Sequence, residues 1–267
     1  MQAHVEGKPT LPVQIAGAAR AAVVACDLAH SGLHGPESSL EGPFGYFTMF
    51  EDEVDVEGAA KALGKIHRIT EVSWKPFPTG RAAQGGIPLV QRLLEQGVTA
   101  DNLDHLELQA PPIIPRLVAR PAQTGMSPNY ARLCFPYLAA VTLTRGSVSL
   151  SDFTRDSLDD PDLLALADRI SVVENHIEDP AEFVPQSAKA ILKDGSERLA
   201  LIAKLYGSPA DPLTHDAHLE KFRGCVAFGL SEDKADEVAD RLIERVETLE
   251  QHADVRDLFQ LAGGVLR

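Results

Sequence analysis

Lys75-Pro76-Phe77-Pro78-Thr79-Gly80-Arg81 is where this 267-residue sequence changes character. Each proline fixes its own φ and drives the residue before it out of the helical region, so the segment is an extended bend and cannot be helix. Gly80 then permits a sharp turn or a close backbone approach just before Arg81. The bend carries two unlike cations. Lys75 is a compact ammonium that loses its proton when desolvated, whereas Arg81 stays charged and offers a planar fork suited to carboxylates. Two readings of these cations stay open at this point: a solvated surface loop, or the anion-handling part of an enzyme acting on small polycarboxylates.

Outward from the bend, the two flanks differ. On the N-terminal side residues 10–31 predict one long helix, with Pro12 in its first turn, Gly32 and Pro36 as its stop, and Val13, Ala16, Val23, Val24 and Leu28 over much of its surface. Gln14, Arg20 and Asp27 are too few for a solvated face, so this helix is expected to be covered nearly all round. A glycine-punctuated aromatic loop at 41–47 follows, then a short helix over about 54–63 closed by Gly64, and a strand suggested by Ile69, Val72 and Trp74.

On the C-terminal side Pro88 opens an amphipathic helix ended by Gly97, and Leu106, Leu108 and Ala110 alternate as a half-buried strand stopped by Pro111 and Pro112. Residues 129–145 predict an apolar helix kinked at Pro136, beside Tyr137. Asp160-Pro161 caps a helix running to about Asp168, and Asp194-Gly195 is the strongest hairpin-turn signal. From Thr214 the pattern is helical again, with stripes at Leu219, Phe222 and Val226 and at Val238, Leu242, Val246 and Leu249. The expected class is α+β: a helical first segment at 1–70, a smaller mixed domain at 71–211, and a returning helical segment at 212–267.

Composition narrows the function. A formal net charge of −14 argues against a general nucleic-acid binder, while leaving room for a local cationic pocket. Cys26, Cys134 and Cys225 are odd in number and widely spaced, and read as buried thiols of a reducing compartment. No apolar run is read as long enough to cross a bilayer, and the opening residues do not resemble a signal peptide, so a cytoplasmic protein without membrane contact is expected. His215 and His218 lie one helical turn apart but lack a third ligand in register, so no metal site is assigned. Tyr137 sits on an otherwise apolar helix and needs a partner if buried: either a carbonyl freed by Pro136, or a pocket in which it handles a proton.

The order of motifs resembles one family. Gln2-Ala3-His4-x-x-Gly7-Lys8, the alanine-rich helix, Leu40-Glu41-Gly42-Pro43-Phe44-Gly45, Lys75-Pro76-Phe77-Pro78, the Ala131 to Tyr137 helix with Arg145-Gly146, Asp211-Pro212-Leu213-Thr214 and Lys221-Phe222-Arg223 are similar to the MmgE/PrpD family, which includes 2-methylcitrate dehydratase. The resemblance implies a helical domain interrupted by an α+β lid, dimers, and chemistry without metal or nucleotide that starts with proton removal beside a carboxylate. It implies a dehydratase-like lyase acting on a di- or tricarboxylate such as a 2-methylcitrate-like acid, with an epimerase in the same scaffold as the alternative. Lys75 and Tyr137 match the family's catalytic lysine and tyrosine, and Arg81 an arginine that holds a substrate carboxylate. Gln14 and Gln84 stand where histidines are common and are expected to touch substrate. Another such histidine falls on Gly80, and Leu11 stands where decarboxylating members carry a lysine. These departures argue against decarboxylation of cis-aconitate specifically. Family members also carry a further helical region, so the sequence is expected to be a C-terminal part or one half of a split protein, forming a homodimer or associating with a helical half; the non-enzyme alternative is a truncated or split-subunit protein that only binds.

Overall fold

A computed structural model describes residues 3, 6–8, 10–230 and 232–263. Gln2 and His4 of the opening motif lie outside the described residues. The chain divides into two compact units, Met1–Val72 and Ser73–Arg267.

The first unit is helical. Helix α1 spans Thr10–His30, α2 Tyr46–Phe50 and α3 Val56–Ala62. Asp55 caps α3 by accepting from the Gly58 N–H at 2.8 Å. In place of the strand expected around Ile69, Val72 and Trp74, Arg68–Glu71 is a short 3₁₀ turn, and the described residues show no strand pairing with it. The cover expected around α1 is also missing, with Val13 68% and Ile15 66% exposed. Pro12–His30 is in fact long and apolar enough by composition to cross a membrane, at a mean hydropathy of 1.2, which corrects the sequence reading. Alanine-rich helices reach that value and are equally suited to burial among other helices.

The second unit gives the chain its α+β class. After a 3₁₀ turn at Arg81–Ala83 comes α4 (Gly86–Glu95), then β1 (Leu103–Ala110). Five helices follow: α5 (Ile113–Val118), α6 (Pro128–Ala131), α7 (Phe135–Arg145), α8 (Arg155–Leu158) and α9 (Pro161–Ala167). Strands β2 (Ile170–Glu174), β3 (Gln186–Leu192) and β4 (Glu197–Ile202) complete a sheet ordered β2-β1-β3-β4. β2 runs parallel to β1, while β3 is antiparallel to β1 and β4. The β3–β4 hairpin turns at Asp194-Gly195, as its sequence predicts, with Gly195 at φ +80°.

One face of this sheet is the core. Val172, Leu108, Ala188 and Ala200 stand in one cross-strand row, and the two alanines let α4 lie close over β3 and β4. α4 buries Ile87, Leu89, Val90 and Leu93. Its Arg92, and Gln96 just past its end, donate to the carbonyls of Leu201 and Leu199 of β4. α7 is buried on every side from Phe135 to Leu143, consistent with its unbroken apolar surface.

Pro136 does not kink a long helix. The chain breaks after α6, and Pro136 sits in the first turn of α7, where its missing N–H costs nothing. The last helices, α10 (His215–Gly229), α11 (Glu232–Glu247) and α12 (Arg256–Gly263), belong to this same unit. α10 meets the turn at Leu150–Phe153 and is tied to α11 by Arg223 and Asp240, 2.5 Å apart.

Candidate active site

The Lys75–Arg81 bend is anchored through Lys75, Phe77, Thr79 and Gly80. Before it, the Trp74 N–H donates to the Gly207 carbonyl at 2.7 Å. A Cβ on Gly207 would stand 2.1 Å from the Trp74 carbonyl oxygen, and Gly207 is at φ +87°, so only glycine fits there. Inside the bend, the Gln84 carboxamide donates to the Phe77 carbonyl (3.0 Å) and to Thr79 Oγ1 (2.5 Å), and accepts from the Phe77 N–H (3.2 Å). At its far end Gly80 N–H donates to the Arg132 carbonyl at 3.0 Å. Two prolines limit the backbone and these bonds fix what freedom remains.

This rigid bend presents both cations. Lys75 is exposed, and its ammonium donates to the Thr79 carbonyl at 3.2 Å. Arg81 is half-buried, with its guanidinium over the Phe183 ring at 5.2 Å. Among the described residues neither cation has a carboxylate partner. In a chain of net charge −14, two cations on one fixed loop without counter-charges are the feature that fits a small polyanion.

The other expected site residues lie elsewhere. Gln84 is 3% exposed, with its amide occupied by the bend. Gln14 is exposed on α1, in the first unit. Tyr137 is fully buried, and its hydroxyl faces the carbonyls of Asp152 (2.5 Å) and Ser157 (3.2 Å). Neither carbonyl is one freed by Pro136. Burial raises the Tyr137 pKa, outweighing the bond to Ser157, so the phenol holds its proton. Nearby, Arg145 bonds the carboxylate of Asp152 and the hydroxyl of Ser157. Tyr137 is thus held by two main-chain carbonyls within the second unit.

A groove of about 380 Å³ lies against the back of the bend, lined among others by Phe77, Pro78, Tyr206, Leu213, Lys221 and Cys225. Lys75, Arg81 and Tyr137 do not line it. The thiols are mixed in placement: Cys134 is buried, whereas Cys26 and Cys225 are exposed, which corrects the expectation of three buried thiols. Burial pushes the Cys134 thiol up to about 12, so it is no nucleophile. His215 pairs with Glu247 at 3.2 Å, and His218 packs edge-on against Trp74 at 4.9 Å, so the two rings have separate partners.

Sequence reading missed the internal locks of the bend. Gly207 and Phe183 gave no local signal, because each acts through a contact distant in sequence. Lys221 stands in a recognised motif, but nothing in that motif shows that its ammonium reaches the Lys75 carbonyl, 2.6 Å away.

Comparison with known proteins identifies the family. The family model for the MmgE/PrpD C-terminal domain matches residues 77–245. The chain belongs to the MmgE/PrpD family. It is 26% identical over 266 residues to cis-aconitate decarboxylase of Mus musculus, covering 96% of this chain and 52% of the relative. It is 25% identical over 269 residues to cis-aconitate decarboxylase of Homo sapiens, covering 96% of this chain and 53% of the relative. The chain thus spans about half the length of the curated relatives it matches.

Proposed function

We propose that this chain carries the substrate-binding bend of a dehydratase-like lyase acting on a small di- or tricarboxylate, such as a 2-methylcitrate-like acid. One observation carries the reading: Lys75 and Arg81 project from a single locked bend and lack carboxylate partners among the described residues. In this reading Arg81 takes a substrate carboxylate through its planar fork. Lys75 neutralises charge that develops on the neighbouring carboxylate as the adjacent C–H proton passes to the base, and the C–O bond then breaks, the leaving hydroxide taking that proton back from the base to depart as water. The base that removes the proton is not assigned to this chain. No metal or nucleotide is invoked. Tyr137 is given no step.

Decarboxylation is the second reading, favoured by the names of the two relatives. Leu11, Gln14, Gly80 and Gln84, which replace residues implied for decarboxylating members, place it second. The test is a panel of small hydroxylated and unsaturated di- and tricarboxylic acids given to the full-length protein and followed by NMR. Alkene formation from a hydroxy acid supports the proposal, with an Arg81→Met variant raising KM by about tenfold or more. Release of carbon dioxide alone, or inversion of a stereocentre alone, replaces dehydration with decarboxylation or epimerisation.

The exposed apolar face of α1 extends the proposal to assembly: a cytoplasmic homodimer, or a complex with a helical half encoded separately. Sedimentation of the chain alone and with candidate helical partners separates these from a monomer.

A further inference from the structure

Residue 75 is gripped from two sides. Beneath it, Gln84 fixes Phe77 and Thr79, and Thr79 in turn offers its carbonyl to the Lys75 ammonium. From α10, Lys221 Nζ donates to the Lys75 main-chain carbonyl at 2.6 Å, joining residues 146 apart in sequence. The same helix sets His218 edge-on against Trp74, the residue before Lys75. α10 is itself located by the Arg223–Asp240 pair and by its seat on the Leu150–Phe153 turn.

We infer that Lys221 is a positioning residue for Lys75, its ammonium holding the Lys75 carbonyl so that α10 determines where the Lys75 side chain starts. The inference rests on the role proposed above for Lys75. A lone carbonyl is well matched by a compact cation on a flexible stem, and an ionised donor makes a stronger bond than a neutral one. The bond leaves the Lys75 side chain untouched, so it directs the reactive group without competing for it. Lys221 also lines the groove behind the bend, yet its ammonium is already engaged with the carbonyl. A shift of the bend by a fraction of an ångström is enough to misplace an ammonium relative to a developing charge.

Trp74 is the only tryptophan in the sequence, so its emission reports on this bend without labelling. The experiment compares time-resolved Trp74 anisotropy in the full chain with Lys221→Met, Lys221→Arg and, as a surface control, Lys204→Met. The expected result is faster local depolarisation in Lys221→Met alone, recovery in Lys221→Arg, and circular dichroism unchanged in all. Unchanged anisotropy in Lys221→Met overturns the inference. In turnover assays kcat should fall about tenfold with KM little altered, and Lys221→Arg should restore it. Loss confined to KM also overturns it. Faster depolarisation in a protein whose wild type performs no lyase chemistry would leave the tether standing while the proposed role of Lys75 falls.

Discussion

Gln84 and Phe77 hold each other twice: the carboxamide donates to the Phe77 carbonyl at 3.0 Å and accepts its N–H at 3.2 Å. A buried side chain thereby acts as the missing strand for an extended bend, supplying the backbone bonds that two prolines prevent the segment from making with itself.

Replacing Gln84 with leucine should therefore destabilise the second unit by about 1–3 kcal/mol, because the Phe77 N–H and carbonyl stay buried without partners. Thermal unfolding should show the melting temperature falling by several degrees. A melting temperature equal to the wild type would show that water or a shifted backbone replaces the bonds.

Gly207→Ala should be worse tolerated than an average surface substitution. Its new methyl would stand 2.1 Å from the Trp74 carbonyl, at a backbone φ of +87°. We expect a loss of about 1–3 kcal/mol and altered Trp74 emission, both read in one urea titration with fluorescence detection. Normal stability with unaltered emission would contradict the close approach.

Tyr137→Phe distinguishes scaffold from catalyst. A buried hydroxyl bonded to two main-chain carbonyls should cost about 1–3 kcal/mol when removed. Turnover per folded molecule should stay within a few-fold of wild type. A fall of about a hundredfold or more, with stability intact, would return the residue to the proton-transfer step.

The Cys134 thiol gives a pH prediction. Burial lifts it from 9.0 in the unfolded chain to about 12 in the fold. Above pH 9 the unfolded chain releases this proton while the folded chain retains it, so this thiol's contribution to stability is constant below that point and is lost towards pH 12. The full effect is on the order of 4 kcal/mol. Urea midpoints measured across this window should fall more steeply for the wild type than for Cys134→Ala; parallel slopes would contradict the buried thiol.

Much of the second unit was legible because its signals are local. Asp160 before Pro161, the Asp194-Gly195 turn, the alternation of Leu106, Leu108 and Ala110, and Gly97 after α4 each act within a few residues. Strand β2 escaped notice since its five residues gain their structure from lying parallel to β1, across a connection that holds five helices. Ile69, Val72 and Trp74 misled for the converse reason: their side chains favour strands, but among the described residues no strand pairs with them. At the site, the cations of the bend could be read directly. Tyr137 could not be placed, because its partners at Asp152 and Ser157 depend on how the turns after α7 fold back.

The role of Lys75 is tested most directly by Lys75→Met in the full-length protein, with single-turnover kinetics on whichever carboxylic acid the panel identifies. Methionine keeps most of the length of the side chain and removes its charge. The account predicts a rate lower by several orders of magnitude with the melting temperature unchanged, since the ammonium is exposed and among the described residues bonds only the Thr79 carbonyl. A rate near that of the wild type would contradict it.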